Sequence, residues 1–274
     1  MSRIFRITVS HSILICGVLL MIVPLWLVFA SSTHSNSFIY NEGMQWKIGG
    51  EFFDNYDRVL NRKGGFTKEI TASGIFYNSF IMAFGIASLS VFVSMMAAYS
   101  LVYFKTRFST LFFWLIFVTL LVPLELRILP SYQIVSDLNL LNSYAGLILP
   151  LSASAIATFF FRQYYRSIPE ELLEAAKLDG ANSWKFFIDF LVPLSKTMIA
   201  AMFIFMFVYG YNQYLWPLIM TTSEKYWTVV MGLKMIYGGN SVDRYTYVIL
   251  SLIPPVIIIV FLQRLFIQGL FQSK

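Results

Sequence analysis

A chain of 274 residues with 58% hydrophobic and 12% charged side chains cannot hide its apolar surface in a soluble core. Soluble domains carry roughly a quarter charged residues, so the surplus apolar surface here has to face lipid. The formal charge of +6 invites a nucleic-acid partner, but the bases are scattered between apolar runs, a pattern that sets membrane topology and excludes nucleic acid as the partner.

A span needs about 20 mostly apolar residues to cross a hydrocarbon layer of about 30 Å. Six stretches qualify, at 13–30, 77–100, 110–129, 143–163, 198–221 and 246–263, so the chain reads as an all-α polytopic membrane protein with six transmembrane helices. Arg3 and Arg6 precede the first stretch and Ala30 closes it, as in a secretory leader. Its apolar run exceeds the 7–15 residues of a leader's apolar region, so a retained anchor helix is expected. Cys16 sits inside this run and has no second cysteine to pair with; a buried thiol packed as a small hydrophobe is expected.

Bases near helix ends set orientation. Arg3, Arg6, Lys105, Arg107, Arg162, Arg166, Lys177, Lys185, Lys196, Arg264 and Lys274 all fall on one side of a six-span chain, the expected cytoplasmic side, with both termini. The segment between spans one and two carries Lys47, Arg58, Arg62, Lys63 and Lys68, but also Glu42, Glu51, Asp54, Asp57 and Glu69. Its bases lie mostly far from the first helix.

The segment 164–196 between spans four and five is the longest piece on the cytoplasmic side and is not a slack connector. Ser167 and Glu170 have capping-box spacing, and Pro169 suits a first helical turn. Glu170, Glu171 and Glu174 place negative charge near the positive end of the helix dipole. Gly180 is placed to end the helix through a left-handed residue, Asn182 or Ser183 to open a second, and Pro193 to break the chain before span five. Leu172, Leu173, Ala176, Trp184, Phe187 and Ile188 are then available for burial. On residues alone the hairpin could pack on its own bundle, lie at the membrane interface or dock a partner.

Glu174-Ala175-Ala176 followed by Gly180 resembles the EAA motif of importer permeases of the ATP-binding-cassette superfamily, whose pattern continues after nine residues as Ile-x-Leu-Pro. Here that second part reads Phe190-Leu191-Val192-Pro193, which keeps the apolar character and the proline. The resemblance implies a coupling helix that inserts into a cleft of a separate nucleotide-binding subunit, with Glu174, Ala175, Ala176, Asp179, Gly180 and Pro193 as its marked positions. It also implies a single transmembrane permease domain over 1–274 in a bacterial cytoplasmic (inner) membrane. A second homologous permease subunit, two copies of the ATPase and an extracytoplasmic solute-binding protein would complete the assembly. ATP and Mg would be bound by the partner ATPase and no cofactor by this chain. The chain itself has no phosphate-binding loop GxxxxGK[ST], no HExxH, no CxxC pair and no nucleophile elbow. It is not expected to be an enzyme.

The likeness extends from about Asn78 to the C-terminus, through Asn78-Ser79-Phe80-Ile81-Met82-Ala83-Phe84, 120–130, 142–163, 209–218 and Leu252-Ile253-Pro254-Pro255-Val256. It looks like the maltose-type, carbohydrate-uptake branch, and within it is similar to the second membrane subunit of sn-glycerol-3-phosphate importers. That implies sn-glycerol-3-phosphate or glycerophosphodiesters as cargo, with maltose or another oligosaccharide as the alternative.

Glu125 and Arg127 lie near the outer end of span three; they could pair, snorkel, or serve an anionic substrate through Arg127. Tyr209, Tyr211, Asn212, Gln213, Tyr214 and Trp216 form a polar-aromatic cluster in span five, suited to a polyol or to interfacial anchoring, with Pro217 as a possible kink. A secondary transporter would favour inverted repeats and mid-membrane charges, and no repeat is evident. An intramembrane enzyme lacks a nucleophile–base pair within the spans.

Overall fold

A computed structural model describes residues 3–61, 70–104, 106–235 and 240–271. The basic and acidic positions Arg62, Lys63, Lys68, Glu69, Lys105 and Lys274 lie outside these, as do the side chains of Arg3 and Arg6. Among the described residues the fold is all helical: α1 Arg3–Ser31, α2 Asn36–Glu42, α3 Phe52–Asn61, α4 Ala72–Tyr103, α5 Ser109–Val118, α6 Leu124–Asp137, α7 Tyr144–Ile148, α8 Ala155–Arg166, α9 Glu170–Leu178, α10 Ser183–Lys185, α11 Val192–Leu194, α12 Lys196–Tyr211, α13 Leu215–Met220, α14 Val229–Met235 and α15 Ser241–Phe271.

Three apolar segments are straight spans, Ile7–Ser31, Ala72–Tyr103 and Ser241–Leu265. The other three crossings are bent pairs: Ser109–Leu121 with Leu124–Asp137 at 106°, Tyr144–Leu151 with Ala155–Arg166 at 46°, and Ser183–Leu194 with Lys196–Tyr211 at 76°. The expected third span, 110–129, is therefore not one helix. It breaks at Val122, where Pro123 cannot donate and holds the preceding residue extended. The expected fifth span likewise ends early: α12 stops at Tyr211, about 24 Å long at 1.5 Å per residue, and Pro217 sits inside α13 and not at the bend.

The chain divides into two compact units, Met1–Phe76 with Met231–Ile253, and Tyr77–Val230 with Pro254–Lys274. In the first, the residues after α1 fold back through buried polar side chains. Asn55 on α3 donates from Nδ2 to the carbonyls of Ser32 and His34, both at 2.9 Å. Thr33 Oγ1 accepts from Gly49 N at 2.7 Å, and a side chain at Gly49 would meet the Thr33 carbonyl. Arg58 donates through Nη2 and Nε to Asp243 Oδ1 at 2.6 and 3.0 Å, tying α3 to the first turn of α15. Cys16 is exposed on α1 and not buried as expected; in a lipid-facing span an apolar environment is supplied by the bilayer and requires no protein core.

In the second unit, helix breaks free backbone carbonyls, and polar side chains satisfy them, as a lipid setting demands. Ser90 and Ser94 on α4 donate to Leu151 O (3.4 Å) and Ser154 O (3.2 Å) at the break of span four. Buried Trp216 donates from Nε1 to Leu147 O at 3.1 Å. Asn142, held at φ 53°, accepts on Oδ1 from the N–H groups of Thr222 and Ser223, both at 2.8 Å. Small residues let helices approach: a Cβ at Gly210 would sit 3.1 Å from Ala83 Cα, and one at Gly85 would collide with Ile148.

Asn78 is the busiest of these connectors. Its Nδ2 donates to Lys225 O (2.7 Å) and Trp227 O (2.9 Å), and its Oδ1 accepts from Tyr144 OH at 2.6 Å. Next to it, Ser79 Oγ accepts from Val229 N at 2.7 Å. Asn78→Ala strands these partners in a buried place, so it is expected to lower stability by about 3 kcal/mol, whereas Tyr144→Phe, which strands one acceptor, costs about 1 kcal/mol. Thermal unfolding of the purified variants in one lipid and at one pH checks the ratio.

Candidate functional site

The 164–196 hairpin is built around the end of α9. Gly180 adopts φ 77°. Its N–H bonds Lys177 O at 3.0 Å, and Ala181 N–H reaches back to Ala176 O at 2.9 Å. Those two bonds form a Schellman closure, and Ala181 packs beside Ala176 as that motif requires. Asn182 then caps the next helix, its Oδ1 accepting from Lys185 N at 2.8 Å.

One expectation fails here and another is shifted along the chain, both for identifiable reasons. The capping box does not form: the N-cap position is Pro169, and Ser167 Oγ instead donates to Tyr164 O at 2.7 Å, closing α8. The expected break before span five is present, but it lies two residues beyond Pro193. The run Ser183–Leu194 continues through it, with a π-helical stretch at Phe186–Leu191. The wider turn accommodates the missing donor. The 76° bend falls at Ser195.

One face of the hairpin is fixed to the bundle. Ala176, Phe186, Phe187 and Leu191 join Tyr99, Phe161 and Tyr165 in a buried cluster, with Leu173 packed against it. Tyr99 OH donates to Ser183 O at 2.8 Å, and Tyr164 OH to Leu194 O at 2.6 Å. The two hydroxyls bolt both ends of Ser183–Leu194 to α4 and α8. Of the residues expected to be available for burial, Ala176 and Phe187 are buried, and Leu172 and Leu173 half-buried. Trp184 (57% exposed) and Ile188 stay open, together with Glu174, Ala175, Asp179 and Leu178, the last 89% exposed. An exposed apolar patch beside acidic side chains is the mark of an interaction surface.

A second site lies where the interruptions of spans three and four come beside α12. Pro123, Leu124 and Arg127 from the first, Ser154 and Ala155 from the second, and Met206 and Tyr209 from α12 line a cavity of about 260 Å³. Arg127 and Tyr209 are thus brought together. Glu125 and Arg127 are both exposed and do not pair with each other; two residues apart on one helix, they point to different faces. The rest of the span-five cluster is otherwise placed. Asn212 Nδ2 and Gln213 Nε2 donate to Val208 O (2.9 Å) and Tyr209 O (3.2 Å), capping α12, while Tyr211 and Trp216 are buried. Among the described residues there is no cluster of His, Cys, Asp and Glu able to hold a metal.

Sequence reasoning passed over Tyr99, Tyr164, Ser90 and Ser94, which position both sites. Isolated polar groups inside apolar runs were the signal available for them.

Apolar helical spans, two of them interrupted beside a cavity, and an ordered hairpin with one open face define a multi-pass membrane protein with no catalytic constellation among the described residues. Residues 90–272 match the family described as binding-protein-dependent transport system inner membrane component, and the chain belongs to that family. It is 43% identical over 270 residues to the sn-glycerol-3-phosphate transport system permease protein UgpE of Yersinia pestis bv. Antiqua (strain Antiqua), covering 96% of this chain and 95% of that one. The UgpE of Escherichia coli K12 is 42% identical over 270 residues, covering 97% and 96%. The fold is similar to that of a bacterial ABC transporter involved in import of the acidic polysaccharide alginate, at a TM-score of 0.78 and 22% identity, covering 96% of this chain and 98% of that one.

Gly180→Ala places a Cβ in left-handed backbone and is expected to cost about 1 kcal/mol. No neighbouring atom stands within 4 Å of that Cβ, so the loss is conformational. Gly180→Asn, which tolerates this region, should recover part of it. Comparing the unfolding midpoints of the two variants checks this.

Proposed function

We propose that this chain is one membrane half of an ATP-driven importer of sn-glycerol-3-phosphate or glycerophosphodiesters, with α9 as its coupling helix. It pairs with a second, homologous permease subunit. Two copies of a cytoplasmic ATPase, which bind ATP and Mg, and an extracytoplasmic solute-binding protein complete the system. Both termini and the 164–196 hairpin lie on the cytoplasmic side of the inner membrane. The cargo reading rests on the likeness to the UgpE proteins over nearly the whole chain.

The observation that carries the coupling role is the two-sided hairpin: one face buried against Tyr99 and Tyr165, the other presenting Glu174, Ala175, Leu178 and Trp184. The small Ala175 permits close approach, the apolar side chains supply area, and Glu174 offers a charged contact. A push on this face is transmitted because Tyr99 and Tyr164 tie the hairpin to α4 and α8. The cavity shares α8 with that mounting, through Ala155 and Ile156, so displacement of the hairpin reshapes it and alternates its access. Within the cavity Arg127 offers a planar guanidinium that binds a phosphoryl group through two N–H donors. Tyr209 offers a ring and a hydroxyl to a glycerol moiety.

Glu174→Lys reverses the charge on an exposed residue, so it is expected to abolish uptake while insertion and thermal stability stay at wild-type levels. Uptake by cells carrying the other subunits, with immunodetection of the chain in membranes, measures both; full transport would reject the docking role. Arg127→Gln removes one charged contact of roughly 1.5–3 kcal/mol, so half-saturation for glycerol phosphate uptake should rise about tenfold or more. The cargo is checked by ATP hydrolysis of the reconstituted complex with its binding protein. Stimulation by glycerol phosphate is expected, and stimulation by a maltodextrin alone would reject it.

A further inference from the structure

Arg162 on α8 carries an unexplained polar atom. Its Nε is buried and meets no hydrogen-bond partner, while its guanidinium carbon lies 3.8 Å from the centre of the Phe113 ring. A stacked guanidinium with an orphaned N–H has lost water without gaining an acceptor, which costs free energy unless something else supplies one. The tyrosine one turn on, Tyr165, is almost wholly buried, and its hydroxyl lies beside that of buried Ser195 with neither completing a hydrogen bond of good geometry.

Arg162 and Tyr165 line a cavity of about 300 Å³ enclosed by the end of α4, the end of α8 and the first turn of α9. Arg166 lines it too, four residues after Arg162. Two like charges at that spacing destabilise a helix unless a counter-charge sits between them. Glu170 is the one carboxylate in the lining and is outnumbered by the two guanidiniums. The start of α9, with Pro169 at its N-cap position and Glu170 and Glu171 in its first turn, borders the same cavity.

We propose that this cavity binds a phosphate-class anion, held by Arg162 and Arg166. The chemistry is that of a tetrahedral oxyanion accepting from forked guanidiniums. Either the phosphate of a net-anionic lipid headgroup, such as phosphatidylglycerol, or free phosphate supplies it. An anion there offsets the repulsion between Arg162 and Arg166 and so firms α8, on which the hairpin is mounted. The site is separate from the Arg127 cavity and independent of what cargo is carried.

The test uses the full chain, assembled with its partner subunits, in nanodiscs of phosphatidylcholine alone or of phosphatidylcholine with phosphatidylglycerol. Inorganic phosphate is titrated into each, with chloride of equal ionic strength as the control, and the thermal unfolding midpoint is read. A saturable rise of a few degrees is expected from phosphatidylglycerol, from phosphate or from both. A rise with the lipid alone identifies a headgroup, and a rise with phosphate in pure phosphatidylcholine identifies the free anion. Arg162→Gln/Arg166→Gln should lose the response. Should that variant fail to assemble, Arg166→Gln, which alters an exposed residue, should weaken the response about tenfold, in line with one charged contact. The proposal is overturned if neither source shifts the wild type, if chloride does so equally, or if the variants respond like the wild type.

Discussion

Inside a bilayer every backbone N–H and C=O has to find its partner within the protein, and the architecture of this chain follows from how it meets that demand at broken helices. Spans three, four and five are all interrupted, at Val122-Pro123, at Ser152–Ser154 and at Ser195. At two of them carbonyls are bound by a polar side chain from a neighbour: Ser90, Ser94 and Trp216 at span four, Tyr164 at the bend before α12. Interruptions are tolerated because they line a cavity or lie in the packed interior. That is why the cavity with Arg127 and Tyr209 falls where it does.

The same accounting explains the hairpin. A loop that only joined two spans would leave its carbonyls to water. Here the Schellman closure at Gly180, the Asn182 cap and the hydroxyls of Tyr99 and Tyr164 engage the backbone from 176 to 194. The aromatic cluster beneath contributes burial, and the bonds fix the angle at which the open face is presented. A rigidly mounted surface transmits displacement, whereas a slack one would absorb it. The open face of the hairpin and the cavity are thus joined through α8.

Residue pattern and motif made much of this legible. Gly180 had to be left-handed because it follows a nine-residue amphipathic run and precedes an Asn-Ser cap, and it is. Of the six apolar side chains available for burial, Leu173, Ala176 and Phe187 pack on the bundle, while Trp184 and Ile188 stay exposed. Other expectations failed where local signals competed. Ser167 could cap either the helix before it or the one after, and closing α8 won. Pro193 reads as a breaker, yet a π-helical stretch ahead of it carries the chain through to Ser195. Of the three readings open for Glu125 and Arg127, pairing is set aside, because their separation along α6 turns them apart.

What the sequence by itself determined is the material and the motif: six apolar stretches, a basic bias at helix ends, and an EAA-type run before the penultimate span. Hydrophobicity and short-range spacing are properties of adjacent residues, so they survive without coordinates. Only the tertiary structure decided where the spans break, that Trp216 is a core residue while Arg127 and Tyr209 share a cavity, and that Arg162 is left with an orphaned donor beside Arg166. Those outcomes depend on which carbonyl, ring or charge arrives from a distant helix, and no local pattern encodes that arrival.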